Sequence, residues 1–505
     1  MRGQRAPSWA RATPWAPERR TAPTYYCLQR AGPRPTRLAA SAGASLEALL
    51  LSPATASAHV ISERYQAPLP LLAYVAGAAL AVAMSFVFVN LRGRSRLPGT
   101  AGRIIRVAPV VQLLLRAIGL LAWLWIMGQA FLGGVDESAD VAGLFLWVYG
   151  WVGIALLSAL VGPIWSWLDP FSTLHIVLSG TARRLRLVGD EDEARPSPAG
   201  WGIWPAITGF VAVVWLELVG NAGGGRTLAL LLLAYTLITL AGMSWFGREE
   251  WRRHGEIFSV WFRLLGRLAP LALAGPPEAG RIVRRPFGAG LFERRSSLAE
   301  VVLVTLGTAA IIFDGLSQTD IYAALFGRLD LPGLPPALIN TLVMAGFFAL
   351  VLAVVLGAAR GLGSAAVGAG LLPVAVGYLV AHYFVTLLVD GQRILLALND
   401  PLLQGTDLLP FPWSAWQPTL FIPTSLVWAI QLAAVVGGHV VGAWAGHAAL
   451  DRAARRTSTV RQVTLAGLMV VLTSVTLWSL GQAVITEPAA APAAGSTGPR
   501  AAPPP

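Results

Sequence analysis

The sequence predicts an all-α fold, a polytopic bundle of about ten transmembrane helices with two amphipathic helices at the cytoplasmic interface. Hydrophobic residues make up 55% of the 505 positions, and charged residues only 13%. Because a soluble domain carries about a quarter charged residues, this balance indicates a multi-pass membrane protein. All basic residues are arginines, and they separate apolar runs instead of forming one stripe. We therefore interpret them as topology signals and expect a lipid bilayer, not nucleic acid, as the partner.

The chain begins with a leader that we expect to lie outside the fold. Residues 1–58 are rich in Arg, Pro and Ala, and they end in a short apolar stretch followed by small residues up to Ala58. This pattern predicts a signal peptide cleaved before His59, and the alternative is a disordered cytoplasmic tail. The single cysteine, Cys27, belongs to this leader, so we expect no disulfide or thiolate metal site.

The transmembrane domain is predicted over residues 59–482. A helix that crosses a bilayer needs about 20 apolar residues, and ten segments are long enough. They are 69–90, 108–131, 139–162, 202–220, 227–247, 298–317, 336–358, 366–389, 424–447 and 462–482. The remaining residues, 483–505, are rich in Pro and Ala and are expected to form a disordered tail.

Arginine is distributed unequally between the two sides of this predicted bundle. Alternate connections hold 24 arginines on one side, while the opposite side holds five. Since positive charge is retained in the cytoplasm, the mature N-terminus and the C-terminus should both lie outside the bacterial cytoplasmic membrane. Residues 163–178 and 249–273, on the inner side, mix aromatic and basic residues at helical spacing. They predict the two interfacial amphipathic helices.

Polar residues recur at one depth near the predicted outer surface. Tyr378, His382 and Asp390 follow one face of the eighth segment, and Glu217 and Asp314 lie at similar depth in two others. Carboxylates and an imidazole at a common depth predict an outward-facing site able to bind a divalent metal. The alternative is structural: His382 donates to Asp314 or Glu217 and joins the helices. The 389–423 loop adds Asp400 and Asp407 at the same side.

The ninth segment combines small residues with a line of histidines. Gly438, Gly442 and Gly446 repeat every four residues and predict close contact with another helix. His439 and His447 lie eight residues apart on the same segment and could move protons or ligate a haem. Alternatively, both histidines form hydrogen bonds across the glycine interface.

Several of these motifs resemble a family of bacterial multi-pass membrane proteins named fenitrothion hydrolases. The matching motifs are "WLELVG" at 215–220, "FDG" at 313–315, "AHYF" at 381–384, "DGQ" at 390–392, "NDPLLQGTDL" at 399–408 and "GHVVGAWAGH" at 438–447. The resemblance extends from His59 to the end of the ninth segment. It implies hydrolysis of an organophosphate triester, a small-molecule substrate, at phosphorus.

Such a reaction requires an activated water and a positive partner for the phosphoryl oxygen, most simply a metal. Under this interpretation His382, Asp314 and Asp390 hold the metal. Asp400 or Asp407 orients the water and is the expected catalytic residue.

Two other classes of function remain open. In a proton- or cation-coupled transporter, Glu217, Asp314 and His382 would bind the coupling ion. In a haem- or metal-binding membrane component, His382 and His439 would be ligands. Cleavage before His59 would also create an N-terminal amine and imidazole able to chelate copper.

Overall fold

The computed structural model describes most of the predicted bundle. The described residues are 75–80, 83–85, 102–134, 140–186, 200–220, 224–328, 333–410 and 417–452, with six single positions between 467 and 478. The predicted leader 1–58, His59, most of the first and tenth predicted spans, and the tail 483–505 lie outside them.

The described part of the chain is mostly helical. The helices are α1 Pro109–Leu132, α2 Val141–Leu160, α3 Trp165–Leu168, α4 Pro170–Arg184, α5 Trp204–Leu218, α6 Gly225–Phe246, α7 Arg248–His254, α8 Ile257–Leu265, α9 Leu298–Ser317, α10 Asp320–Arg328, α11 Pro336–Leu362, α12 Ser364–Val389, α13 Ile394–Asn399 and α14 Thr424–Arg452. A π-helical stretch, Leu144–Ile154, forms the middle of α2, and a 3₁₀ turn, Asp390–Arg393, joins α12 to α13.

Seven of these helices are long and apolar enough to cross a membrane, namely α1, α2, α6, α9, α11, α14 and α12 with its continuation to Asn399. Two shorter apolar helices, α5 and Val75–Ser85, lie within the predicted fourth and first spans. The described residues therefore form a mostly helical protein with seven candidate membrane-spanning helices, as a membrane helix bundle requires. The described residues alone do not reach the predicted ten spans.

The two predicted interfacial helices differ in their surroundings. The first corresponds to α3 and α4, and α4 is largely exposed beyond its first turn. The second corresponds to α7 and α8, and eight of the nine residues of α8 are buried. Its aromatic residues pack against neighbouring helices, since Trp261 contacts Phe210 of α5 at 5.1 Å between ring centroids. Helix α8 thus lies inside the protein, and its interfacial position is not confirmed.

The one departure from an all-α fold in the part of the chain described is a small sheet, formed by the connection between α8 and α9 together with residues that precede α1. Three short antiparallel strands, Arg103–Arg106, Arg281–Arg284 and Leu271–Leu273, form a sheet in that spatial order. Arg267 and Arg285 are buried beneath the connection, and their guanidinium groups donate to backbone carbonyl oxygens of residues 266–294. We call this the arginine-rich end of the bundle.

Helices α12 and α14 are in direct backbone contact at several glycines, where a residue with a Cβ atom would not fit. A Cβ atom on Gly377 would lie 2.4 Å from the carbonyl oxygen of Ala434, and one on Gly442 would lie 2.4 Å from that of Gly370. Glycine is therefore required at both positions, because a methyl group would overlap the facing backbone. The close helix contact expected from the glycine repeat in α14 is confirmed.

Candidate functional site

The structure brings Asp314 and His382 into direct contact. Asp314 lies near the end of α9 and is only 3% exposed, while His382 projects from the last third of α12. The Nε2 atom of His382 lies 2.8 Å from Oδ2 of Asp314. Since an ionised carboxylate only accepts hydrogen bonds, the imidazole donates from Nε2. The predicted contact between these two residues is therefore present.

Two further side chains complete the bonding of Asp314. The hydroxyl group of Tyr383 donates to Oδ2 at 3.2 Å, and Nε2 of Gln318 donates to Oδ1 at 3.1 Å. With His382, the carboxylate has three donors from two helices. A buried carboxylate needs such donors to remain charged, because burial alone favours the neutral acid. We call Asp314, Gln318, His382 and Tyr383 the Asp–His site.

Glu217 and Trp151 lie beside the Asp–His site. Glu217, half-buried near the end of α5, is close enough to Tyr383 to act on it electrostatically, and the Trp151 side chain hydrogen-bonds to the same tyrosine. Trp151 belongs to the π-helical stretch of α2. Such stretches occur frequently at functional sites because the wider turn repositions the side chains that follow it. The site thus joins α2, α5, α9 and α12.

The imidazole of His382 has one nitrogen that the site does not use. Its Nε2 atom donates to Asp314, and its ring packs edge-on against Tyr383 with 4.6 Å between centroids. Its Nδ1 atom makes no hydrogen bond to any residue among those the structure describes. A carboxylate on one side therefore fixes the tautomer, and leaves Nδ1 with a lone pair able to accept a proton or bind a metal.

Asp390 does not join this site, contrary to the prediction. Its carboxylate pairs with Arg393, at 3.1 Å between Oδ1 and Nε, within the same 3₁₀ turn. Eight residues separate it from His382, which corresponds to about 12 Å along a helix. Tyr378, His382 and Asp390 do follow one another along α12, but Asp390, at the end of this series, forms its ion pair with Arg393 and not with the Asp–His site.

Asp400 and Asp407 organise the loop that follows α13. The carboxylate of Asp400 accepts from the backbone N–H groups of Gln404 and Gly405, at 3.0 and 2.8 Å, and from the hydroxyl of Thr406 at 2.8 Å. Burial acts to raise the pKa of Asp400, but these donors outweigh it and hold the pKa below the ordinary value. Asp407 accepts from Asn399 Nδ2 at 2.9 Å. Both acids therefore stabilise the loop, and the catalytic role predicted for them has no support in these contacts.

The loop is fixed to the end of α1. The indole of Trp125 donates to the carbonyl oxygen of Pro401 at 2.8 Å, and the amide of Gln404 donates to that of Leu132 at 3.0 Å. These contacts place residues 400–410 at the same end of the bundle as the end of α1, away from the arginine-rich end. That agrees with the outward position predicted for this loop.

The predicted metal site is not assembled. Across the described ranges no three His, Cys, Asp or Glu residues are grouped so as to hold a metal ion. Asp314 and His382 are in contact, whereas Asp390 pairs with arginine and His59 lies outside the described residues. The ligand set predicted from Asp314, His382, Asp390 and Glu217 is not grouped among the described residues, and a metal at this position stays a prediction.

His439 and His447 belong to the packing of α14. His439 is completely buried, its Nδ1 lies 2.8 Å from the carbonyl oxygen of Val435, and its Nε2 lies 3.4 Å from the hydroxyl of Tyr378. Nδ1 of His447 lies 3.0 Å from the carbonyl oxygen of Ala443. Both nitrogens of His439 are thus engaged. The contact with Tyr378 of α12 supports the interpretation that His439 joins two helices, and it leaves no nitrogen of His439 for haem iron.

A second pair of buried acids escaped the sequence analysis. Glu256 is completely buried between α7 and α8, and it accepts from the hydroxyl of Tyr235 at 2.5 Å and from the backbone N–H of Ser259 at 2.6 Å. Burial, and then the nearby charge of Asp169, raise the pKa of Glu256. Asp169 is 1% exposed and forms an ion pair with Arg252. Each acid precedes an apolar helix, which is the pattern of an N-cap and the one signal that could have revealed them.

Comparison of the chain with protein-family models, with curated proteins and with solved structures finds no match.

Proposed function

We propose that this protein is a proton-coupled transporter of the cytoplasmic membrane and that its Asp–His site takes up and releases the coupling proton. The hydrogen bond of 2.8 Å between His382 and Asp314 carries the proposal. An imidazole that donates from Nε2 to a buried carboxylate can accept a proton at Nδ1, and the resulting imidazolium is then paired with the aspartate. Ionisable groups within a bundle mark ion and proton pathways because leaving them there without a use is costly.

Other groups support a proton site at this position. Glu217 and Tyr383 add a second carboxylate and a hydroxyl beside the Asp–His site. One helical turn away along α12, Tyr378 meets His439 of α14 at 3.4 Å. Protonatable side chains are therefore found at two successive depths along α12, the first in contact with α9 and the second with α14.

The topology belongs to the same proposal. Ten spans are predicted from the lengths of the apolar segments, and the arginine distribution of 24 against five predicts that both mature termini lie outside. The buried arginines and the sheet of the arginine-rich end lie away from the 400–410 loop, which suits an inner and an outer face. With this orientation the Asp–His site lies in the outer part of the bundle.

A pH jump on purified protein in proteoliposomes, adsorbed to a solid-supported membrane, tests the proposal without a known solute. Proton binding within the membrane should produce a transient displacement current in the wild type. His382→Gln should remove this current, because the amide group of glutamine does not bind a proton in the pH range of the experiment. His175→Gln changes a half-exposed histidine of α4, outside the candidate spans, and serves as the control. Equal currents from the wild type and from His382→Gln would exclude the proposed site.

A second candidate is hydrolysis of an organophosphate triester, as the family resemblance implies. The supporting observation is that Nδ1 of His382 forms no hydrogen bond to the described residues while Asp314 holds the ring. An imidazole oriented in this manner can remove a proton from water as a general base, or can ligate a divalent metal whose remaining ligands come from outside the described residues. Fenitrothion serves as the probe. Release of its nitrophenol by the wild type and not by His382→Gln, with no pH-jump current, would favour the hydrolase.

A further inference from the structure

A cleft of about 490 Å³ opens at the arginine-rich end, where α11 ends, α12 begins and α14 ends. Its floor is apolar and includes Leu291, Leu362 and Leu450. Its rim carries the cationic side chains of Arg294, Arg295 and Arg452. An apolar floor beneath a cationic rim, at the ends of three membrane helices, is the arrangement that an amphiphilic anion requires.

The arginines of the rim differ in how far their charge is already used. Both terminal nitrogens of Arg294 donate to the carboxylate of Glu300. Arg452 donates from one nitrogen to the carbonyl oxygen of Phe292, a neutral acceptor. Arg295 is exposed and forms no ion pair or hydrogen bond to a residue in the described ranges. Among the described residues, Arg295 and Arg452 are therefore two cationic side chains of the rim that no carboxylate pairs.

Glu293 is the one acidic side chain among the described residues that line the cleft. Its carboxylate lies 2.6 Å from the guanidinium group of the buried Arg285, and this ion pair compensates its negative charge. The cleft as a whole remains cationic, and an anion entering it meets no uncompensated negative charge on these lining residues.

The start of α12 adds to the same field. Residues Gly363–Ala366 line the cleft, the helix has no side-chain cap, and its first turn contains no acidic residue. The first N–H groups of a helix lack intrahelical partners, and they carry the positive end of the helix dipole. Here they supplement the two available arginines as donors to an anion.

We propose that this cleft binds the phosphodiester head group of an anionic phospholipid. The phosphate is held by Arg295, Arg452 and the start of α12, and the first part of an acyl chain lies on the apolar floor. Basic pockets between membrane helices at the cytoplasmic surface bind anionic head groups, and the arginine distribution places this end inside. A soluble phosphate would use the same cationic groups but would gain nothing from the leucines, so the proposal commits to lipid.

Native mass spectrometry of the purified full chain, released from nanodiscs of defined composition, tests this proposal. With phosphatidylglycerol, the wild type should retain a bound lipid that it does not retain from phosphatidylcholine. Arg295→Gln should lower the phosphatidylglycerol affinity about five-fold, which corresponds to the contribution of one arginine near a membrane surface. Arg295 has no partner among the described residues, so this substitution leaves their contacts unchanged. Arg183→Gln, an exposed arginine at the end of α4, is the matched control and should retain the lipid.

Two outcomes would overturn the proposal. Equal lipid retention by the wild type and by Arg295→Gln and Arg452→Gln would show that this cleft is not the binding site. Displacement of the bound lipid by millimolar inorganic phosphate would show that the cleft selects a free anion and not a phospholipid. Loss of binding in the two variants, without displacement by phosphate, is the result expected.

Discussion

Asp314 and Glu256 are both buried carboxylates, but their hydrogen-bond donors differ in kind. Glu256 is held by the hydroxyl of Tyr235 and by backbone N–H groups at the start of its own helix. Asp314 accepts from the side chains of Gln318, Tyr383 and His382, and His382 can itself change its charge. The first arrangement fixes a helix end, whereas the second can respond to a proton. The contacts of Glu256 therefore indicate a structural role, whereas those of Asp314 are compatible with the proton site proposed above.

A double-mutant cycle measures the pairing within the Asp–His site. Asp314→Asn and His382→Gln should each destabilise the protein. The double variant should be more stable than the sum of the two losses predicts, by about 1 kcal/mol, which is typical of a hydrogen bond between membrane helices. Unfolding in mixed detergent micelles gives the free energies. Ser317→Ala, which removes a hydrogen bond from the same end of α9 without touching the carboxylate, should show no coupling to His382→Gln.

Glu256→Gln should lower the free energy of unfolding by about 2 kcal/mol. The carboxylate now accepts hydrogen bonds from the backbone N–H of Ser259 and the indole N–H of Trp165, and the amide NH₂ group of glutamine would face these two donors.

The effect of Glu256 on stability should also depend on pH, because the pKa of Glu256 is raised in the folded protein. Above the ordinary value near 4.5, the folded protein binds a proton that the unfolded chain does not. This contribution of Glu256 to stability is therefore fully present below 4.5, and is lost as the pH rises through the folded-state pKa.

Thermal unfolding between pH 4.5 and 7 checks this dependence. The advantage of the wild type over Glu256→Gln should grow as the pH falls. A constant difference between the two proteins across this range would show that the pKa of Glu256 is not raised in the folded state.

At the scale of elements, α12 and α14 illustrate what the sequence can predict. The glycine repeat of α14 indicated a flat face, and the structure places Gly438 against Pro373 of α12. The ends of both helices also agree with the predicted spans to within a few residues, except that α14 continues to Arg452. Long apolar helices are predictable because each residue contributes independently to burial in the bilayer.

Neighbouring glycines of α14 provide a matched test of this packing. A Cβ atom on Gly438 would lie 2.7 Å from the carbonyl oxygen of Pro373, whereas one on Gly437 would meet nothing within 4 Å. Gly438→Ala should therefore cost about 2 kcal/mol through overpacking. Gly437→Ala should be neutral or slightly stabilising, because alanine favours the helix. Melting temperatures in detergent provide the comparison. An equal effect of both substitutions would contradict the packing described.

Other elements were not predictable, for identifiable reasons. The burial of α8 depends on Trp261 and its partner Phe210, which lie far apart in the sequence. The three-stranded sheet joins residues 103–106 to residues 281–284, and no local pattern records that pairing. Asp390 was placed in the site by helical periodicity, but an arginine three residues later is a nearer partner than any neighbouring helix. The burial of α8 and the strand pairing thus depend on tertiary contacts, and the position of Asp390 depends on a local ion pair.

For the whole molecule, the two ends of the bundle differ in chemistry. One end contains buried arginines bonded to backbone carbonyl groups, the sheet and the cationic cleft. The other contains the Asp–His site and the loop ordered by Asp400. The arginine distribution predicted this difference between the two ends, because the loops on the cytoplasmic side of a membrane protein carry an excess of basic residues. The particular partners of each charge required the folded structure.

Cysteine labelling on intact cells tests this orientation. In a background that carries Cys27→Ser, Leu408→Cys should react with a membrane-impermeant maleimide, because the side chain at 408 is 63% exposed and lies on the proposed outer loop. Phe287→Cys, at a position that is 50% exposed in the arginine-rich end, should react only after the cells are permeabilised. The reverse pattern would invert the topology.

The close packing of α12 and α14 limits how the molecule can change shape. Their glycine faces leave no room for sliding by part of a turn, because a displaced backbone would overlap the carbonyl oxygens of Gly370 and Ala434. Packed interfaces of this type move as units instead of deforming gradually. Any alternation between outward and inward access must therefore carry both helices together as one rocking body. If the proposed transport occurs, we expect the change in backbone angles in the connections that flank these helices, where Gly363 has a positive φ.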